Sequence, residues 1–321
     1  MGICYSYCYS SGAVIASEVS LPASVKPREK EEDCIIKFAL KFPNGLKGLY
    51  YNKAVNEFEF CENINTWLSS LYFQQSWEWW FTYNDETGHL GDKHHKKGHC
   101  KGIVAWSADR ISWLCHSIPN FPGKFTGDSI SNIEEGELIF GQSMQYMEFL
   151  YTEKKFNDIL KNIESMQPHI YMKHVPNGVI PFETGKTQTS PLLEISSIIL
   201  SENPKIVHLA KSPYCDIDIY EEYIAKKYSN SGRWKVETWI RGHHIEKKDD
   251  DKVEDITHVH FKNVLYTEKQ DHSKWAVSES DLYGVGDLNR MTSQFHRGGG
   301  VFICEHRNIA KALRELAMVI A

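Results

Sequence analysis

Two closely spaced pairs hold the most reactive side chains of this chain: His99 with Lys101 in "GHCKG" and His272 with Lys274 in "DHSKW". In an extended segment, residues i and i+2 point to the same side, so each pair aims an imidazole and an ammonium into one space. An asparagine follows each pair: Asn120 in "HSIPNFP" and Asn289 in "VGDLNR". His116 and Ser117 precede the first asparagine, and counting back from the second puts Gly286 in the place of Ser117. One such pair is ordinary on a polar strand, but two in the same order are the trace of a duplicated half. Related by a pseudo-two-fold, they would deliver two histidines and two lysines to one pocket. That set suits phosphodiester cleavage without a metal: one imidazole attacks phosphorus and the other protonates the leaving oxygen. The lysines would stabilise charge building on the non-bridging oxygens. Spacing does not say which histidine is the nucleophile.

The competing readings of the polar clusters are weaker. His94, His95, His99 and Cys100 in "GDKHHKKGHC" match no common zinc spacing, and the interleaved lysines would repel a cation, so neither a metal nor another cofactor is expected. His243, His244, His258 and His260 read as ordinary loop and strand residues. The eight cysteines form no CxxC pair, which argues against zinc ribbons and thioredoxin-like sites and leaves disulfide pairing open. No N-x-[ST] acceptor occurs.

These residues need a scaffold, and the chain of 321 residues is long enough for one large domain or two ordinary ones. Residues 22–33, "PASVKPREKEED", read as a linker that closes an N-terminal tail, 1–33. The tail lacks a basic leader region, although Ala13, Ala16 and Ser17 would suit signal cleavage. From Cys34, "CIIKFALKF", "GLYYN", "WEWWFTYN", "GIVAWS" and "ISWLCHS" predict strands. "TEKKFNDILKNIESM" predicts a helix with Phe156, Ile159, Leu160 and Ile163 on one face. "DIDIYEEYIAKKYS" and "HRNIAKALRELAMVIA", the latter with Ile309, Leu313, Leu316 and Ile320 aligned, predict two more, their stripes packing into a core. "EKKDDDKVED", 246–255, reads as a solvated loop. The result is an α/β fold in two halves, 34–167 and 168–321, each bearing one His-x-Lys motif.

No run approaches the roughly 18 apolar residues of a membrane span, so no membrane partner is expected. The formal charge of −6 argues at first against a polyanionic ligand. Fifteen histidines reverse this in acid, where the charge is bounded at roughly +9.

The motifs resemble the deoxyribonuclease II family of the phospholipase D superfamily. "YNDE", "GHCKG", "HSIPNFP", "GQS", "AKS", "DIY", "VETW", "DHSKW", "VGDLNR" and "RGGG" run in the family's order over nearly the whole body. The resemblance implies a phospholipase D-like fold: two pseudo-symmetric α/β halves, each with a mixed sheet flanked by helices, and an active site at their interface. It implies His99, Lys101, His272 and Lys274 as catalytic residues, with His116, Ser117, Asn120 and Asn289 in support. The implied activity is a metal-independent acid endonuclease on double-stranded DNA, lysosomal or secreted, leaving 3′-phosphate and 5′-hydroxyl ends; whether monomer or homodimer acts is open. Trp106 and Glu279 stand where phospholipases D carry an aspartate, which favours the nuclease branch. Ala276 and Gly284 replace a cysteine pair common in the family, and Tyr146 replaces another cysteine. The alternative reading is a secreted, catalytically weak relative that binds nucleic acid or a host partner.

Overall fold

Short apolar runs, buried along almost their whole length in the central strands and joined by tight turns, build two large sheets. The structure, a computed structural model, describes residues 34–73, 77–87, 92–93, 97–180, 195–240, 245 and 249–319. The tail, His94, His95, His243, His244 and Ile320 lie outside the described residues.

The first part supplies β1 (Cys34–Lys41), β2 (Gly48–Asn52), β3 (Glu57–Cys61), β4 (Trp79–Asn84), β5 (Glu86–Thr87), β6 (Asp92–Lys93), β7 (Lys101–Trp106), β8 (Arg110–His116), β9 (Gln142–Leu150) and β10 (Ile170–His174). The second supplies β11 (Ser196–Glu202), β12 (Lys205–Lys211), β13 (Trp234–Glu237), β14 (Val253–Asp255), β15 (His258–Phe261), β16 (Val264–Thr267), β17 (Trp275–Ser278), β18 (Leu282–Gly286), β19 (Gly299–Glu305) and β20 (Ala317–Met318). One sheet has the order β10-β4-β7-β8-β9-β1-β2-β3 and the other β11-β12-β19-β18-β17-β13-β14. Within them the runs β4-β7-β8-β9-β1 and β13-β17-β18-β19-β12 correspond strand for strand. Each His-x-Lys pair leads directly into the equivalent strand, β7 or β17.

Three details differ from expectation. The first sheet is not mixed: every pairing in it is antiparallel. In the second only β13 and β14 run parallel. Three-residue connections such as 107–109 and 279–281 can join only antiparallel neighbours. Next, β10 pairs with β4, so the first sheet extends to His174, beyond residue 167. Last, the charged stretch 246–255 ends in β14, where Val253 is buried beside Trp234 and Val236. A single apolar residue among charges carries no visible period.

The central core lies between the sheets, where Trp113 meets Phe302 edge-on at 4.8 Å and Phe38 meets Tyr283 at 6.1 Å. Helix α1 (Ile64–Tyr72) covers the outer face of the first sheet with Trp67, Leu68, Leu71 and Tyr72. Burial of each such side chain is worth about 1.5–3 kcal/mol. Helix α2 (Glu153–Met166), capped by Thr152, follows β9 and buries Ile159, Leu160 and Ile163 as its stripe predicts. The expected helix over 216–229 is a π turn, Ile219–Ile224, running into the short α3 (Ala225–Lys227). Asp218 caps that turn by accepting from the N–H groups of Tyr220 and Glu221. Helix α4 (Arg307–Leu316) follows β19 as α2 follows β9, but stops before Ala317, which pairs in β20 with Val259.

The six cysteines among the described residues are free thiols, and all but Cys61 are buried. Ala276 and Gly284 stand directly opposite one another across β17 and β18. His258 is half-buried and His260 exposed on β15, as ordinary strand residues.

Candidate active site

The two His-x-Lys segments are held in place by each other's half. His99 N–H donates to Gly298 O at 2.7 Å, and His272 N–H donates to Gly141 O at 2.9 Å. Lys101 N–H then reaches Asp287 Oδ1 at 3.2 Å, while Lys274 N–H reaches Ser143 Oγ at 3.0 Å. Gly141 and Gly298 are therefore equivalents, and neither admits a side chain: a Cβ would lie 2.5 Å from Asp271 Oδ1 in one case and 2.3 Å from Met166 O in the other.

The true counterpart of Ser117 is Asp287, not Gly286. Ser117 N–H donates to Ser143 O and Asp287 N–H to Gly300 O, both at 3.0 Å. Each side chain also accepts the N–H of that same partner residue, at 2.9 and 3.1 Å. Unequal loops after the two hairpins shift the count by one, which spacing alone cannot reveal.

A narrow cleft is lined by His99, Lys101, His116, Ser117, Lys274 and Asp287. His99 Nδ1 donates to the Asp287 carbonyl at 2.7 Å, because a carbonyl can only accept. The bond leaves Nε2 with the lone pair. Burial pushes His99 down to about 4; Asp85 opposes this, while Lys101, Lys274 and Arg297 add to it. Lys101 Nζ pairs with Asp85, whose other oxygen accepts from Arg297 at 3.0 Å, and lies 3.5 Å from Glu86. Despite its burial, the Asp85 and Glu86 charges hold Lys101 above the usual lysine range. Burial and the nearby Lys101 instead push Lys274 down to about 8. Its Nζ donates to His272 O at 2.6 Å.

His116 accepts Ile118 N–H at its Nδ1, 3.2 Å, so the neutral ring carries its proton on Nε2. That buried Nε2 has no protein partner among the described residues. Burial pushes His116 down to about 3. Ser117 Oγ donates to Gln142 at 2.6 Å and so braces the cleft floor. Asn120 stands apart from the cleft lining: it adopts a left-handed backbone, φ 53°, and its amide donates to Glu137 at 2.7 Å. Asn289 is buried, and its Oδ1 has no protein partner among the described residues.

The ring of His272 is buried between two aromatics, stacked on Phe140 at 4.0 Å and 10° and tilted against Trp239 at 3.9 Å. Asn84 pairs with Lys101 and Glu237 with Trp275, so Asp85 and Trp239 occupy matching places. Phe140 and Arg297 match too, each preceding its glycine of the pair Gly141 and Gly298. Asp85, Arg297, Asp287, Phe140 and Trp239 are thus site-forming residues that motif reading passes over. Four of them lie inside the segments "YNDE", "VGDLNR", "VETW" and "RGGG", but their roles emerge only when the two halves are superposed by register.

The family model for deoxyribonuclease II matches residues 48–321. The chain is similar to cell-death-related nuclease 7 of Caenorhabditis elegans, 27% identical over 77% of this chain and 70% of that protein. It is likewise similar to deoxyribonuclease-2-beta of Mus musculus, 26% identical over 73% of this chain and 68% of that one. A match spanning both sheets and both His-x-Lys segments places this chain in the deoxyribonuclease II family.

Proposed function

We propose that this nuclease hydrolyses double-stranded DNA in a phospholipase D-like, pseudo-two-fold active site, with His99 as nucleophile and His272 as leaving-group acid. The observation that carries the assignment is the bond from His99 Nδ1 to the Asp287 carbonyl, which aims an unprotonated Nε2 away from that contact. Nε2 attacks phosphorus as the P–O5′ bond breaks, and protonated His272 gives its proton to the departing O5′. Neutral His272 then takes a proton from water, whose oxygen attacks phosphorus and breaks the P–N bond. The products are a 3′-phosphate and a 5′-hydroxyl. Lys101, Lys274 and the Nε2–H of His116 stabilise the non-bridging oxygens.

No step requires a divalent ion. The carboxylates nearest the cleft are engaged, Asp85 by Lys101 and Arg297 and Asp287 by the N–H groups of Lys101 and Gly300. A chain with fifteen histidines gains positive charge as pH falls, which suits a polyanion in an acidic lysosomal or extracellular setting.

Plasmid nicking at pH 5 in EDTA tests the reading. Cleavage that persists under chelation, with 3′-phosphate ends, is expected. Activity lost in EDTA and restored by a divalent ion overturns the mechanism, and DNA binding without cleavage would favour a catalytically weak binding protein.

A further inference from the structure

The two histidines are equivalent by register, but their flanking pairs are chemically opposite. His99 has Asp85 and Arg297 beside it, ion-paired at 3.0 Å. At the matching positions His272 has Trp239 and Phe140, whose rings lie 5.7 Å apart. An ion pair orients a ring through charge; two aromatic faces orient it through stacking and favour its cationic form.

We propose that Phe140 and Trp239 are positioning residues that clamp the His272 ring in the orientation from which it protonates the departing 5′ oxygen. The inference rests on the reading of His272 as the leaving-group acid. Phe140 and Trp239 are partly exposed whereas His272 is 7% exposed, so the clamp shields the ring without sealing the cleft. Stacking at 10° leaves the ring no freedom to tilt toward Phe140, and Trp239 blocks rotation on the other side. Among the described residues, the charged and titratable groups around Lys274 and Glu237 beside this ring include Asp271, Glu268 and Asp255 from the second half and Glu86, Asp85 and Lys101 from the first. None of these is altered by substitutions in the clamp.

A substrate whose leaving group needs no proton isolates the effect. Phe140→Ala and Trp239→Ala should each lower kcat on DNA roughly 10- to 100-fold, part of the roughly 10²- to 10⁴-fold that a general acid contributes, with KM changed less than about threefold. The pre-steady-state burst of nitrophenolate from bis(p-nitrophenyl) phosphate should fall less than about threefold, since nitrophenolate departs as an anion. Phe140→Tyr keeps the face and should restore the DNA rate. The alkaline limb of kcat should move to lower pH in the alanine variants, because the cation loses its aromatic faces. Equal losses on both substrates, or an alkaline limb that does not move, would show a merely structural role and overturn the clamp. His272→Ala is the control: if it loses the nitrophenolate burst as fully as DNA cleavage, the acid assignment itself fails. If His272→Ala discriminates between the substrates and the clamp variants do not, only the clamp fails.

Discussion

The two half-sites share a strand order, a backbone bond to the opposite half and a His-x-Lys pair, but differ in what surrounds the histidine. Around His99 the side chains are charged, Asp85, Arg297 and Lys101, and Nδ1 bonds the Asp287 main-chain carbonyl. Around His272 they are aromatic. Duplication delivers two identical imidazoles, while the mechanism requires one neutral and one protonated at the same pH. In the proposed mechanism, divergence at the matched positions Asp85 with Trp239 and Arg297 with Phe140 would make that difference. Like groups in unlike environments are how one fold runs nucleophilic and acid chemistry together.

The largest effect should come from removing either imidazole. His99→Ala and His272→Ala should each lower DNA cleavage by at least about 10³-fold, and the double variant should be little worse, because residues acting as a unit are not additive. Only His99→Ala should abolish the covalent adduct. Rapid quenching with a labelled diester and mapping of the phosphohistidine checks this. An adduct on His272 would exchange the two roles.

Much of this was legible in the sequence, for particular reasons. The His-x-Lys pairs stand out because strand geometry gives i and i+2 a common face, and α2 stands out because Thr152, Ile159, Leu160 and Ile163 combine a cap with a helical period. The partners of the histidines do not stand out. Asp85 and Arg297 are 212 positions apart, and nothing local marks an aspartate as the mate of a distant arginine. Trp239 ends the segment "VETW" with nothing local to tie it to His272, and the match of Ser117 with Asp287 needs hydrogen bonds to correct for unequal loops. Lys41 and Lys211, at the ends of equivalent strands β1 and β12, have partners that the sequence does not show either, although Lys211 lies in "AKS". Each turns its ammonium onto loop carbonyls, Phe42, Gly45 and Leu138 in one case and Cys215 and Phe295 in the other.

Neutralising the charged half-site should have the next largest effect. Asp85→Asn leaves Lys101 and Arg297 buried without their shared counter-charge, and loss of one partner from a buried ion pair costs about 3–5 kcal/mol. A fall of that size in urea-unfolding free energy is expected, whereas Trp239→Phe should stay within about 1.5 kcal/mol as an apolar swap. A loss below about 1 kcal/mol for Asp85→Asn would deny the ion pair its structural weight.

The pH profile should separate the same two environments. The nucleophile works only when neutral, and His99 is pushed down to about 4, so the acid limb of the rate belongs to it. Deprotonation of His272 sets the alkaline limb, giving a bell with its optimum between roughly pH 4.5 and 6. Asp85 raises His99, so in Asp85→Asn the acid limb should move to lower pH while the alkaline limb stays. An optimum at pH 7.5 or above in the unaltered protein would break the division of labour.

The smallest effect concerns stability, because each half-site also buries a carboxyl. Burial pushes Asp287 up to about 7 and Asp271 up to about 6, and it holds Glu237 well above the usual carboxylate range. A folded value raised above the unfolded one, about 4, gives stability that is complete below pH 4 and lost as pH rises through 6 and 7. The buried histidines act in the opposite direction. His99, His116 and His208 are pushed by burial to about 4, 3 and 3, so their contribution is complete above the unfolded value near ~6.5 and lost as pH falls through 4 and 3. Between roughly pH 4 and 6.5 the two sets nearly cancel, so stability should be level there and should decline on either side. Asp271 is the carboxyl that can be replaced: its Oδ1 accepts from Ser273 N–H at 2.9 Å, and its buried Oδ2 has no protein partner among the described residues. Asparagine keeps the first bond and carries no charge. Asp271→Asn should therefore change stability little at pH 5 and raise it by roughly 1–3 kcal/mol at pH 8, measured by urea unfolding at both values. Asp287→Asn should not be so benign, because both of its oxygens accept backbone N–H groups, from Lys101 and Gly300, and an amide nitrogen would face one of them. Equal destabilisation by Asp271→Asn at both pH values would mean that its carboxyl is ionised in the fold and that the two half-sites do not share this feature.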